Sequence, residues 1–201
     1  MLVRAWAGVH STNAAGGTLV VVAVGSVLLS QVSFSDFGMV RLISPVSALL
    51  FLPVIAGTAA AIACDNTARL PLPDPPRAAA ARGAWAAVWT LAAALATSSG
   101  ILTGSTIGWA AVVRNVLLYN ALGLIVARLG YPHLTWLPSL TYTMACILFG
   151  YPNHGIGYYW WAVVMADQVT AASVTGIGLL YAAAFLAYVA PIRRRRHTDT
   201  P

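Results

Sequence analysis

The stretch TIGWAAVVRNVLLYNALGLIVA, residues 106 to 127, is a long apolar run in which Arg114 is the only charged residue. Its length is close to the about 20 residues that cross about 30 Å of hydrocarbon. Five further apolar runs flank it, at 17–33, 42–63, 84–102, 134–150 and 170–190. The sequence therefore predicts an all-α integral membrane protein with six transmembrane helices.

The overall composition supports this assignment. Of the 201 residues, 59% are hydrophobic and only 8% are charged, and the mean hydropathy is +0.78. Charged residues usually make up about a quarter of a soluble domain. Residues 1–201 are predicted to form a single transmembrane domain. The net charge of +6 comes from arginines near span ends, where anionic lipid rather than nucleic acid is the expected partner.

The arginines are distributed asymmetrically about the six runs. Nine of the eleven basic residues fall in alternate connecting segments: Arg4, Arg69, Arg77, Arg82, Arg128 and Arg193 to Arg196. Positive charge next to a span marks the cytoplasmic side. We therefore predict a multi-pass plasma-membrane protein with both termini in the cytoplasm. Residues 1–16 would form a cytoplasmic segment, 64–83 an inner loop, 151–169 an outer segment and 191–201 a basic cytoplasmic tail.

The sequence carries few groups that could perform catalysis. It has no glutamate, and its five aspartates are isolated from one another. The four histidines show no helical spacing suited to a metal ion, so no metal site is predicted. Phosphate-binding and nucleophile motifs are also missing. We predict that the chain is not an enzyme and binds no cofactor, so any energy for its function would come from another chain.

The most informative polar residue inside the runs is Arg114. Counting from the start of the run places it about 13 Å below the outer end, near the midplane. A charge at that depth costs at least about 2.5 kcal/mol and requires a partner. Two interpretations remain open. Arg114 could be hydrogen-bonded to carbonyls or to an aspartate of another span and so fix helix packing, in a buried polar network with Asn115 and Asn120, or these residues could line a substrate path.

A partner for Arg114 is suggested by residues 151–169. This outer segment is too apolar for a solvated loop and too short for another crossing, and it contains Tyr158, Tyr159, Trp160 and Trp161. It is either a re-entrant segment, which must be covered by protein, or a helix at the interface. In the first case Asp167 and Gln168 would approach Arg114, and Asp167 would be its partner.

Packing features complete the prediction. Pro45 and Pro53 are expected to kink the second span, and Pro138 the fifth. Small residues four positions apart, Gly104 with Gly108 and Ala172 with Gly176, are candidates for close helix contacts. Cys64 and Cys146 lie near opposite ends of their spans, so no disulfide between them is expected.

The stretches 113–118 (VRNVLL), 122–124 (LGL), 127–130 (ARLG) and 136–138 (WLP) resemble the fourth and fifth spans of small permease subunits of ABC-2-like exporters from actinomycetes. The resemblance implies a permease that works with a second permease subunit, the same or homologous, and with ATP-binding ABC subunits. It also implies that the inner loop contacts the ATPase, through Asp65, Arg69, Asp74 and Arg77, and that the outer segment caps the path. The alternative is a non-transporting assembly or immunity factor that binds another membrane protein.

Overall fold

Six α-helices and one β-hairpin make up the computed structural model, which describes residues 12–37, 40–64, 78–151 and 157–190. The helices are α1 Thr12–Leu28, α2 Leu52–Ala63, α3 Ala78–Ser98, α4 Trp109–Arg128, α5 Trp136–Phe149 and α6 Ala171–Val189. Strands β1 Ser33–Phe37 and β2 Val40–Ser47 lie between α1 and α2. Short 3-10 turns cover Ala48–Leu50, Ser99–Thr103, Pro132–Leu134 and Val163–Met165.

The helices have the character of membrane segments. Within the described residues, three stretches are long and apolar enough to cross a bilayer: Ala79–Thr103, Trp109–Arg128 and Ala171–Val189. Thr12–Leu28, Ala48–Ala63 and Trp136–Phe149 are apolar but shorter. The fold is therefore helical, and three of its apolar helices could span a membrane, which is consistent with a membrane protein.

The β-hairpin corrects the prediction for the second span, which placed residues 42–63 in one helix. β2 pairs antiparallel with β1, with Ser33 opposite Ser47 and Phe34 opposite Val46. Mean hydropathy cannot distinguish an apolar strand from an apolar helix. Pro45 lies within β2 and therefore kinks no helix. In a two-stranded ribbon every strand is an edge, where proline is tolerated.

Several other boundaries differ from the prediction. The first helix spans Thr12–Leu28 rather than 17–33, so the separate N-terminal segment is shorter than 1–16. The third begins at Ala78 rather than at 84, because the alanines at 78–81 favour helix, and the inner loop is correspondingly shorter than 64–83. Pro53 and Pro138 lie in the first turns of α2 and α5. Neither is a mid-helix kink, since proline in a first turn removes no helical hydrogen bond.

Helix α4 lies at the centre of the bundle, and its closest contact is with α2. A Cβ added at Gly57 would lie 2.8 Å from the Tyr119 Cβ, and one added at Gly123 would overlap the Ala61 Cβ. The two helices approach because these positions carry only small groups. The predicted close contacts at Gly108 and Gly176 were wrong, since a Cβ at either would meet nothing within 4 Å in the described structure.

Contacts between helix ends define two ends of the bundle. At one end, which we call the hairpin end, the Ser26 Oγ of α1 donates to the Thr97 carbonyl of α3 at 2.6 Å. At the opposite end, the Trp85 Nε1 donates to the Ala63 carbonyl at 2.9 Å and the Tyr188 hydroxyl to the Cys64 carbonyl at 2.6 Å. Consecutive helices therefore run in alternate directions.

Candidate functional site: a carbonyl clamp

The candidate site is built around Arg114, which is only 3% exposed on α4. The helix begins at Trp109, after Gly104 with φ 91° and Gly108 in an extended conformation. Arg114 is thus about 7.5 Å from the helix start at 1.5 Å per residue. The prediction of a position near the midplane was based on a helix starting at 106, and Arg114 lies closer to the hairpin end.

The Arg114 guanidinium donates hydrogen bonds mainly to the chain between α5 and α6, which we call segment 157–170. Its Nη2 donates to the Val163 carbonyl at 2.5 Å and to the Ala166 carbonyl at 2.7 Å. Its Nη1 donates to the Gln168 carbonyl at 3.2 Å, and its Nε to the Asn115 Oδ1 at 3.1 Å. The planar fork of donors thus holds three main-chain carbonyls at once.

Asp167, the predicted partner, makes no direct hydrogen bond to Arg114 within the described residues. The Asp167 side chain is exposed, and its Oδ1 accepts a hydrogen bond from its neighbour's backbone, the Gln168 N–H, at 2.8 Å. Asp167 interacts with Arg114 only through a longer-range electrostatic attraction. The Gln168 side chain is also exposed, and its contribution to the site is its carbonyl. Carbonyl dipoles, rather than a carboxylate, therefore solvate the buried positive charge.

Two further side chains bind carbonyls of the same segment. The Asn115 Nδ2 donates to the Val164 carbonyl at 3.0 Å and, at 3.5 Å, to the Leu50 carbonyl just before α2. The Tyr142 hydroxyl of α5 donates to the Trp161 carbonyl at 2.5 Å. Arg114, Asn115 and Tyr142 together bind five carbonyls between residues 161 and 168. We call these three side chains the carbonyl clamp.

Segment 157–170 needs these donors because it has little regular structure of its own. Its only helical element is the 3-10 turn Val163–Met165, yet Ala162, Val164 and Met165 are at most 2% exposed. Buried carbonyls without partners are costly. Of the two interpretations left open by the sequence, a helix lying at the interface does not describe this segment, because it packs into the bundle.

Aromatic residues lie just before segment 157–170 and at its start. The rings of Tyr151 and Tyr158 pack with centroids 4.9 Å apart. The Tyr159 N–H donates to the Gly150 carbonyl at 2.9 Å. Trp160 is 88% exposed, as expected for an aromatic side chain at a membrane interface.

Asn120 belongs to a second polar site, separate from the clamp. Its Nδ2 donates to the Thr90 Oγ1 of α3 at 2.6 Å, and the same oxygen lies 2.9 Å from the Tyr181 hydroxyl of α6. The fully buried Asn120 Oδ1 has no hydrogen-bond partner among the described residues. The predicted grouping of Asn120 with Arg114 and Asn115 therefore divides into two sites along α4.

The predicted ATPase-contact residues, Asp65, Arg69, Asp74 and Arg77, lie outside the described residues. The structure describes the helix end from which their loop departs. Trp85 binds the carbonyl of Ala63, the last residue of α2, and Tyr188 binds the carbonyl of Cys64, which follows it. The end of α2 is therefore fixed to both α3 and α6.

In the part of the chain that the structure describes, no three His, Cys, Asp or Glu side chains form a group that could hold a metal ion. Comparison with known proteins gives no match to any family model, curated protein or solved structure.

We expect Arg114→Ala to lower the free energy of unfolding by about 2 to 4 kcal/mol, because several buried carbonyls lose their donor. Asp167→Asn is the matched control, and we expect a change within about 0.5 kcal/mol because its carboxylate is exposed. Denaturant unfolding in detergent measures both. Equal destabilisation by the two substitutions would show that an Arg114–Asp167 ion pair, rather than the carbonyls, stabilises the site.

Proposed function

We propose that this chain is the permease subunit of an ABC-type exporter, which forms the translocation path together with a second permease subunit and is driven by a separate ATPase. The observation that carries this proposal is the irregular segment 157–170, held across the hairpin end of the bundle by the carbonyl clamp. Irregular backbone at membrane depth is tolerated where protein covers it or where it lines a cavity. Both conditions are typical of transport proteins.

The carbonyl clamp supports the proposal that segment 157–170 caps the translocation path at the hairpin end. Three side chains from two helices hold the segment, and Gly150 at the end of α5 leaves space for it, since a Cβ there would lie 3.0 Å from the Ala162 Cβ. A segment fixed by side-chain donors can be released without breaking a helix. In this proposal it blocks a path at rest and moves during export.

The proposal includes six membrane crossings. The alternate helix directions favour this topology, with the hairpin end outside and the end that carries Arg82 and Arg128 inside. α2 and α5, of 12 and 14 residues, are about 18 and 21 Å long, less than the hydrocarbon thickness. In this proposal the β-hairpin and segment 157–170 fill the remaining depth beside these short helices.

The ATPase would bind at the end opposite the hairpin. The resemblance implies that Asp65, Arg69, Asp74 and Arg77 contact it, and these residues follow the fixed end of α2. The hydrogen bonds of Trp85 and Tyr188 to that end connect it to α3 and α6. A displacement of the inner loop would therefore be transmitted to α2, α3 and α6, which supports a coupling role for this loop.

The topology can be tested with single cysteines in a Cys64→Ala, Cys146→Ala background. Thr106 is exposed in the connection before α4, and Tyr131 is exposed just after it. We expect Thr106→Cys to react with a membrane-impermeant maleimide in intact cells, and Tyr131→Cys to react only after the membrane is permeabilised. The reverse labelling would invert the topology, and labelling of both in intact cells would contradict a crossing by α4.

The function is tested by purifying the chain from its native membranes in mild detergent and measuring ATP hydrolysis in the purified complex. We expect an ATP-binding subunit to co-purify.

Tyr188→Phe removes the donor to the Cys64 carbonyl, so coupling of ATP hydrolysis to transport should fall about threefold. Tyr181→Phe on the same helix is the comparison: it removes a hydrogen bond to Thr90 of α3 but none to the end of α2, so coupling should fall less than in Tyr188→Phe.

Two results would contradict the proposal. Co-purification with another membrane protein and no ATPase would favour the assembly or immunity factor. An ATPase that stays bound and fully coupled after residues 70–74 are replaced by a Gly/Ser linker would exclude the inner loop as the contact.

A further inference from the structure

Segment 157–170 supplies most of the acceptors around the Arg114 guanidinium. Among the described residues the guanidinium makes four hydrogen bonds, and only the one from its Nε goes to another part of the chain, to Asn115. The other three go to the carbonyls of Val163, Ala166 and Gln168. Asp167, whose carboxylate attracts the guanidinium at longer range, lies on the same segment. One stretch of chain therefore gives Arg114 three oxygen atoms and a negative charge.

The carbonyl clamp acts on this segment only as a hydrogen-bond donor. The Asn115 Nδ2 donates to the Val164 carbonyl, and the Tyr142 hydroxyl donates to the Trp161 carbonyl. If the segment moved away, a guanidinium, an amide and a hydroxyl would be left without these acceptors. Among the described residues no carboxylate contacts the guanidinium directly. The vacated clamp would therefore be a group of donors around the positive charge of Arg114, which suits a negatively charged ligand with several oxygen atoms.

The number of donors favours a phosphate or sulfate group over a carboxylate. The clamp holds five carbonyl oxygens between residues 161 and 168, whereas a carboxylate offers only two oxygen atoms. A phosphate or sulfate group offers three acceptor oxygens, and its geometry matches the planar fork of the guanidinium. Hydrogen bonds to an ionised group are roughly twice as strong as neutral ones. Such a group can therefore compete with several carbonyls for the same donors.

We propose that segment 157–170 occupies the place of a phosphate or sulfate group, and that an exported molecule carrying such a group displaces it from Arg114, Asn115 and Tyr142. This inference rests on the proposed function, in which the segment caps the translocation path. It adds the chemical class of the exported molecule and the event that opens the cap. Without that molecule the cap stays closed, because a guanidinium without acceptors is costly in an apolar helix.

The position of the segment allows such an exchange. Arg114 lies about 7.5 Å from the start of α4 at 1.5 Å per residue, close to the hairpin end. The side chains of Asp167 and Gln168 are exposed, so water can reach the carbonyls of the segment once they leave the clamp. A single 3-10 turn is the only helical element of the segment, so its release breaks no α-helix. Because Asp167 leaves with the segment, its attraction for the guanidinium no longer competes with the incoming anion.

The test is amide hydrogen exchange of segment 157–170, followed by mass spectrometry, in the full chain purified in dodecyl maltoside without phospholipid. Ala162 and Met165 are buried, and their N–H groups donate to carbonyls within the segment at 2.9 and 3.1 Å. These amides should therefore exchange slowly while the clamp is closed. The probe is hexyl phosphate, compared with hexanoate and with hexyltrimethylammonium. We expect hexyl phosphate to accelerate exchange in the segment by about fivefold or more, hexanoate to accelerate it less, and the cation to have no effect.

Variants assign the effect to Arg114. Arg114→Lys keeps the charge but loses the planar fork, so its acceleration by hexyl phosphate should be about half that of the wild type or less. Arg128→Gln, at the other end of α4, is the matched control and should respond as the wild type does. Asp167→Asn removes the negative charge of the segment, so half-maximal acceleration should need less hexyl phosphate. If Arg114→Lys does not fold, the wild type and Asp167→Asn still decide the question.

Either of two results would overturn the proposal. Unchanged or slower exchange of the segment with hexyl phosphate would mean that an anion does not replace the carbonyls. Acceleration by dihexanoylphosphatidylcholine but not by hexyl phosphate would mean that the clamp takes a lipid headgroup rather than an exported molecule. Because no ATPase takes part in this measurement, its failure leaves the exporter proposal to the co-purification experiment. In the same way, failure to co-purify an ATPase would not account for an absent response to hexyl phosphate.

Discussion

The hydrogen bonds from Arg114 to the carbonyls of Val163, Ala166 and Gln168 are the interaction on which the hairpin end of the bundle depends. An arginine in an apolar helix is costly without partners, and so is irregular backbone in an apolar environment. The guanidinium supplies hydrogen-bond donors to the carbonyls of segment 157–170, and these carbonyls supply acceptors to the guanidinium. Among the described residues no carboxylate contacts the guanidinium directly, so the stability of the site depends on the positions of several carbonyls.

This arrangement requires α4 to be surrounded by other helices, and small residues make that possible. Gly57 on α2 and Gly123 on α4 let the two backbones approach closely. Arg114 and Asn115 then reach segment 157–170, while Asn120 reaches Thr90 on α3. Tyr119 also binds Thr143 on α5 at 2.8 Å. Helix α4 thus contacts its neighbours through polar side chains at successive turns, each of them buried and hydrogen-bonded.

The sequence predicted part of this arrangement. The last three helices were placed within three residues of their observed ends, because glycine, proline and polar residues bound those runs. The β-hairpin was missed because hydropathy does not report backbone conformation. Carbonyls and an aspartate were both predicted as possible partners of Arg114. Asp167 could be named because sequence reveals carboxylates, whereas every residue has a carbonyl and the sequence does not mark which of them accepts. Tyr142 gave no signal either, since isolated hydroxyls are common in apolar helices.

The most direct test of the clamp is the distance between spin labels at Leu102 and Trp160, two side chains that are 89% and 88% exposed at the hairpin end. Double electron–electron resonance on protein in lipid nanodiscs should give a narrow distance distribution in the otherwise wild-type chain. In Arg114→Ala the distribution should broaden, whereas a reference pair at Leu102 and Tyr131 should not change. An equally narrow and unshifted Leu102–Trp160 distribution in Arg114→Ala would contradict the claim that Arg114 holds segment 157–170 in place.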